Sequence, residues 1–342
     1  MKLHICGNGF DLHHGLQTSY KCYKDFLCLE HPEVISEYEE FVGAYDNDRI
    51  AWSNIEDALK VNYLKMLSGY ADLPSVENEV YFRSHENNII SYHGNDLEDA
   101  FRGLTDFITN FTGKYLYDWL SSIDIKKAIP DLSLSPDDLY INFNYLDTLQ
   151  TLYHIPDSNV LHIHGALKNL KGLKKDTAAY KKDFIASYTP EVGRKEALDM
   201  WRIAECPAFQ SMYIRQELQF GAVINTESEL QKIYKWYNAD EAYSSYVEPS
   251  IMVIESFMEK STKKLSNNYK KLTYFAWTHS DIDTIVIMGH TLLGVDFPYY
   301  KEILIPFFKD KLWVFKSHNG NTSEINEFLE KANLKNYRIE LW

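Results

Sequence analysis

The chain opens with a strand that runs straight into a glycine turn and then a helix. Lys2 to Cys6 is a short run able to form a buried strand, and Gly7-Asn8-Gly9-Phe10-Asp11 follows with no linker. His13-His14 and Gly15-Leu16-Gln17-Thr18-Ser19-Tyr20 then lead into a helical pattern. A strand that ends in Gly-x-Gly and hands over to a helix places bare backbone N–H groups beside a positive helix terminus, where a phosphate binds. Glycine matters there because any Cβ would hold a ligand off the backbone. The dinucleotide fingerprint asks for a third glycine at position 12, which is Leu12 in this chain. A tight turn after an edge strand is the competing reading of the same residues.

Three later segments repeat the pattern. Tyr140 to Tyr145 reads as a strand ending in amide-bearing residues, followed by a helical run from Asp147 to Tyr153. Val160 to Gly165 is a second, with His164 at its carboxyl end, and Thr284 to Leu292 holds a third, again ending in a glycine, Gly289. All are short and almost continuously apolar, as strands are inside a parallel sheet covered by helices. In open α/β sheets ligands sit beyond the carboxyl ends of the strands, where the polar residues of these segments fall.

These residues resemble a known family. Gly7-Asn8-Gly9-Phe10-Asp11, the Gly15 to Tyr20 run, Asn142-Phe143-Asn144-Tyr145, His162-Ile163-His164-Gly165 and Gly289 to Asp296 are similar to the signatures of the AbiH abortive-infection proteins of bacteria. A more distant resemblance, to the sirtuin-type NAD-binding fold, places Gly7, Gly9 and Gly15 on its glycine turn. It sets Asn144 on its asparagine, His164-Gly165 on its catalytic His-Gly, and Gly289-His290-Thr291-Leu292 on its ribose-contacting segment. The departures are specific. Leu146 stands where that fold has an aspartate, or, in an alternative register, Asn142 and Asn144 form the pair; Tyr20 stands where it has an arginine, and Cys6, Cys22, Cys28 and Cys206 lack the paired Cys-x-x-Cys spacing of its structural zinc. Protein deacetylation is therefore not expected.

The resemblance implies an α/β, Rossmann-like (sirtuin-like) parallel sheet flanked by helices. With it goes a defence role in which an infected cell stops growing before phage is released. The expected sheet domain covers residues 1–168 and 281–342, with a helical excursion over about 33–121. The long segment 169–280, with helical spacing at Leu230 to Tyr237 and Ile251 to Met258, reads as an inserted helical subdomain. Further helices are expected from Trp52-Ser53-Asn54 to about Ser68, from Asp96 to Ser121, from Tyr299 to Phe308 and from Ser323 to Ala332. Closing strands are expected at Leu312 to Phe315 and Tyr337 to Leu341.

The chemistry such parts support is hydrolysis of the nicotinamide N-glycosidic bond of NAD, as substrate or ligand. Asn144 would hold the ribose or the attacking water, and His164 would take a proton, its ordinary pKa of about 6.5 lying near working pH. Gly7, Asn8, Gly9 and Phe10 would receive the pyrophosphate, with Gly15 shaping the turn and Ser19, Gly289, His290 and Thr291 bonding phosphate or ribose oxygens. Asp11 and Asp296 suit ribose hydroxyls or loop N–H groups better than phosphate, which a carboxylate repels. His162 and His164 share a strand face and could form a metal pair with His154 or Glu205, but no acidic or histidine cluster lies nearby in sequence and no metal is expected. A nucleotide-binding sensor or partner module without catalysis is the alternative.

At 342 residues, 45% hydrophobic and 15% aromatic, the chain can bury a substantial core. A net charge of −14 opposes nucleic acid except at local basic stretches such as Lys168 to Lys182 and Lys260 to Lys271. No run approaches the roughly 20 apolar residues of a membrane span, and a cytoplasmic location is expected. The helical segments are natural places for a homo-oligomer interface or a surface that senses a phage-derived trigger.

Overall fold

The computed structural model describes residues 1–45, 52, 54–60, 62–64, 106–170, 186, 190, 193–195, 211, 214–215, 217–237, 244–263, 265–317 and 320–342. The chain divides into two compact units. The first comprises Met1–Tyr23, Tyr115–Gln219 and Lys264–Trp342, and the second Lys24–Lys114 with Phe220–Lys263.

The first unit is built on a six-stranded sheet of β1 (Lys2–Cys6), β2 (Leu139–Asn142), β3 (Val160–His162), β4 (Thr284–Met288), β5 (Leu312–Ser317) and β6 (Tyr337–Leu341). Its order is β3-β2-β1-β4-β5-β6, and every neighbouring pair is parallel. This is the Rossmann order, with the direction of winding reversing between β1 and β4. The central strands are apolar on both faces because both faces are covered. Leu3, Ile5, Ile141, Ile285, Ile287, Trp313 and Phe315 enter one core, while Cys6, Tyr140, Val286, Met288 and Val314 enter the other. Adjacent residues of one strand thus feed opposite layers, as the period-two geometry requires.

In chain order the helices are α1 (Asn8–His13) and α2 (Tyr20–Glu30), then α3 (Pro32–Tyr45), α4 (Ile55–Ala58), α5 (Lys114–Ser122) and α6 (Thr148–Tyr153). Further along are α7 (Thr226–Tyr237), α8 (Ser244–Ser261) and α9 (Leu265–Thr278). After β4 come α10 (Phe297–Tyr299), a π-helical turn (Tyr300–Leu304), α11 (Ile305–Phe308) and finally α12 (Ser323–Ala332). Among the described residues no helix is long and apolar enough to cross a membrane.

Several boundaries differ from those read in the sequence. β2 stops at Asn142 and β3 at His162, so Asn144 and His164 both stand two residues past their strands, in the turns that follow. The helix expected over Asp96 to Ser121 is interrupted, with 106–111 helical and Thr112 and Gly113 in a turn before α5. Residues 96–105 lie outside the described set. The helix expected from Trp52 onward begins at Ile55, where the Asn54 side chain caps the Asp57 N–H, and its expected end over residues 65–68 lies outside the described set.

Among its described residues the second unit packs aromatic rings and a buried ion pair. Tyr38 stacks on Phe111 with ring centres 4.6 Å apart, and Lys263 Nζ lies 2.8 Å from Glu56 Oε1 with both side chains buried.

Candidate functional site at the carboxyl edge of the sheet

The glycine turn after β1 is held by the protein's own backbone. Gly7 is the N-cap of α1 in an extended conformation. Its N–H donates to Met288 O at 3.1 Å, that of Gly9 to Gly289 O at 2.7 Å, and that of Phe10 to Gly7 O at 2.8 Å. A Cβ on Gly7 would stand 2.4 Å from His290 Cα, and one on Gly9 would stand 2.7 Å from Gly289 Cα. These glycines therefore let the turns after β1 and β4 meet backbone to backbone at the point where the winding reverses. A phosphate reaches those three amides only by displacing these bonds.

Gly15 and Ser19 have local duties. Gly15 sits at φ +73° just past α1, with its N–H on Leu12 O and that of Leu16 on Asp11 O, the pair of bonds that closes a helix with a left-handed glycine. Ser19 Oγ accepts the Cys22 N–H at the start of α2. Asn8 Nδ2 donates to Thr18 O at 2.9 Å, tying the turn to the same loop.

Asp11 is the electrostatic anomaly of the turn. It is 1% exposed, and neither carboxylate oxygen makes a well-formed hydrogen bond among the described residues. Burial raises its pKa to about 7, opposed only by the nearby Thr148 hydroxyl.

Asn144 and His164 come to this edge from β2 and β3. Asn144 is buried, its Nδ2 donating to Gly7 O at 2.8 Å and its N–H to Asn142 Oδ1 at 3.0 Å. This lashes the β2 turn to the glycine turn. His164 is 2% exposed, and its Nε2 lies 3.0 Å from Asp296 Oδ1. Asp296 also receives His290 Nε2 on Oδ2 at 3.3 Å, so one carboxylate bridges two imidazoles. Although Asp296 stands at the N-cap of α10, its side chain makes no capping bond.

The partners assign the protons. A carboxylate only accepts, so both Nε2 atoms donate, and His290 Nδ1 takes the Tyr300 hydroxyl at 2.6 Å. Burial holds the Tyr300 phenol well above its ordinary value, which keeps that proton in place. The Phe143 ring covers the group, 4.1 Å from the His290 ring centre and 5.4 Å from that of His164.

His162 has a different environment. Its Nδ1 faces Asn144 O at 3.2 Å and its Nε2 faces the Gln150 amide at 3.1 Å. Burial lowers its pKa to about 4, so it is a neutral, satisfied ring. Glu205 lies outside the described residues, and among the described residues no group of three or more His, Cys, Asp or Glu could hold a metal ion.

Sequence reasoning missed three groups that shape this edge. Tyr300 carries the outer end of the histidine relay. Glu324 accepts the N–H groups of Leu292 and Leu293 and so pins the loop after β4. Gln219 donates its N–H to His164 O at 2.9 Å. None has a local signal, since Tyr300 falls in an apolar helical pattern and Glu324 reads as an ordinary first-turn acid. Thr291 is exposed within the same loop.

Residues 3–317 match the family described as Bacteriophage abortive infection AbiH. The chain belongs to the AbiH family. The match spans the site from Gly7 to Tyr300, leaving Glu324 outside it, and gives this AbiH protein a role in bacteriophage defence by abortive infection. No curated protein and no solved structure matches the chain.

Proposed function

We propose that this AbiH protein binds NAD at the carboxyl edge of its sheet and hydrolyses the nicotinamide N-glycosidic bond. The observation carrying this reading is the His164–Asp296 pair, joined at 3.0 Å across the carboxyl ends of strands arranged in Rossmann order. Nicotinamide leaves as a neutral base from a cationic pyridinium and needs no general acid. Water adds at the ribose carbon, the C–N bond breaks with its electron pair going to the pyridinium nitrogen, and the water's proton passes to a base. With Nε2–H held by Asp296, His164 would use Nδ1 as that base. The Asn144 amide orients the ribose or the water, and Thr291 and the loop after β4 bond the ligand's hydroxyls. Loss of NAD would stop the growth of an infected cell, which is the outcome that abortive infection requires.

The burial of His164 and the engagement of the glycine-turn amides favour a second reading, a nucleotide-binding sensor or partner module without turnover. Incubation with NAD or NADP, followed by detection of nicotinamide and ADP-ribose, separates the two. Turnover that falls on the order of 100-fold or more in His164→Ala, Asp296→Asn and Asn144→Ala supports the hydrolase. Saturable binding with no product, with or without phage lysate, overturns it in favour of the sensor.

A further inference from the structure

Among the described residues the last strand leaves one edge of the sheet open, since β6 pairs there only with β5 and ends the sheet order. Its backbone polarity is fixed by two bonds to β5, Trp313 N–H to Asn336 O and Trp342 N–H to Ser317 O. Even-numbered residues therefore turn their N–H and C=O groups inward, and the alternation of a strand turns those of Tyr337, Ile339 and Leu341 outward. The strand has no proline, glycine or bulge, the devices that usually blunt an edge. Two of its three outward residues are exposed apolar side chains, Tyr337 at 44% and Leu341 at 77%.

Its charges are arranged for a particular partner. Arg338 and Glu340 share one face two residues apart, and within the chain Arg338 Nε lies 2.6 Å from Glu340 Oε1. Glu340 Oε2 also takes Lys316 Nζ from β5 at 2.6 Å. An antiparallel strand of the same sequence, centred on Ile339, would set Arg338 opposite Glu340 of the partner subunit, and Glu340 opposite Arg338 of the partner subunit. Tyr337 would meet Leu341 of the partner subunit on the other face. The outward-facing residues would then form hydrogen-bonded pairs. The charged residues would occupy the non-hydrogen-bonded positions, where opposing side chains approach most closely.

We infer that β6 is a homodimer interface, pairing antiparallel with β6 of a second copy across a two-fold axis at Ile339 to give one continuous sheet. The contact is isologous, as most cyclic dimers are, and the alternation of Lys316, Glu340 and the partner's Arg338 carries complementary charge across the junction.

Sedimentation of the full chain over a concentration series tests this. Wild type is expected to reach twice the chain mass of 40.0 kDa. Arg338→Glu and Glu340→Arg singly set like charges against each other and should each shift the protein to monomer, while the double reversal restores both pairs and the dimer. Hydrogen exchange on the wild type gives an independent readout, because the amides of Tyr337, Ile339 and Leu341 should become protected only as concentration rises. A monomeric wild type, single reversals that dimerise like wild type, a double reversal that stays monomeric, or edge amides whose exchange ignores concentration would each overturn the inference.

Discussion

Replacing Asp11 with asparagine should stabilise the protein at alkaline pH and change little in acid. The carboxyl group is 1% exposed and without a well-formed hydrogen bond among the described residues, and its pKa stands at about 7 against 3.8 for an ordinary aspartate. Between those values the folded chain holds one more proton than the unfolded chain, so stability falls as pH rises from about 4 to about 7 and levels off above that. The full difference corresponds to about 4 kcal/mol, a large share of the roughly 5–15 kcal/mol that holds a typical domain together. An asparagine at this position has nearly the same shape and cannot ionise, so the variant lacks this loss. Urea unfolding of wild type and Asp11→Asn at intervals from pH 4.5 to 8.5 isolates the effect, since other groups titrate alike in both proteins and cancel in the difference. The variant's advantage should grow by about 3–4 kcal/mol across that range. Parallel curves would show that the carboxylate is either solvated or well paired in the fold, and the account of the turn's electrostatics would fail. Buried carboxylates this costly are found most often where chemistry is done.

Other expectations follow from the same geometry. Gly7→Ala and Gly9→Ala drive a Cβ to 2.4 and 2.7 Å from backbone atoms that cannot swing aside, and each should cost about 3 kcal/mol or more in an unfolding titration. Gly15→Ala meets nothing within 4 Å and carries only the strain of φ +73°, about 1 kcal/mol, so equal losses at all three positions would contradict the packing described. His162 takes a proton at about 4 in the fold against 6.5 unfolded. The unfolded chain therefore binds more protons between those values, and stability drops by about 3 kcal/mol as pH falls from 6.5 to 4. In wild type this slope opposes that of Asp11 over the same interval. His162→Asn should unmask the Asp11 slope, and a curve that stays flat in the variant would remove His162 from the balance.

The sheet could be read from the sequence because each strand is an apolar run bounded by turn residues, and burial on both faces leaves no other use for such a run. Tyr337 to Leu341 was legible to the residue. The ends of β2 and β3 were not, because Phe143 and Ile163 continue the apolar pattern and still donate their N–H groups to Cys6 O and Asn142 O, one residue past the last paired position of each strand. The glycines are ambiguous for a physical reason. A missing Cβ signals that something approaches the backbone closely, but it does not say whether that is a phosphate or another turn. At Gly7, Gly9 and Gly289 the neighbour is the opposite turn, and Gly289 at φ +59° meets Gly9 in the same way.

The site itself is a long-range construction. His164 and Asp296 are separated by 132 residues, and each has a convincing local use, one as a strand-end residue and the other as a helix cap. What selects this arrangement is the anchoring of the loop after β4 at several independent points. Gly289 O takes the Gly9 N–H, His290 takes the Tyr300 hydroxyl, and Glu324 takes the N–H groups of Leu292 and Leu293. With those in place the Asp296 carboxylate has both histidines as donors instead of the N–H groups of α10. The loop starts at the end of β4, and its partner His164 follows β3, three strands away across β1 and β2. The pair can form only once the reversal between β1 and β4 is in place, so the geometry that would orient His164 depends on the completed winding of the sheet and not on any one segment of it.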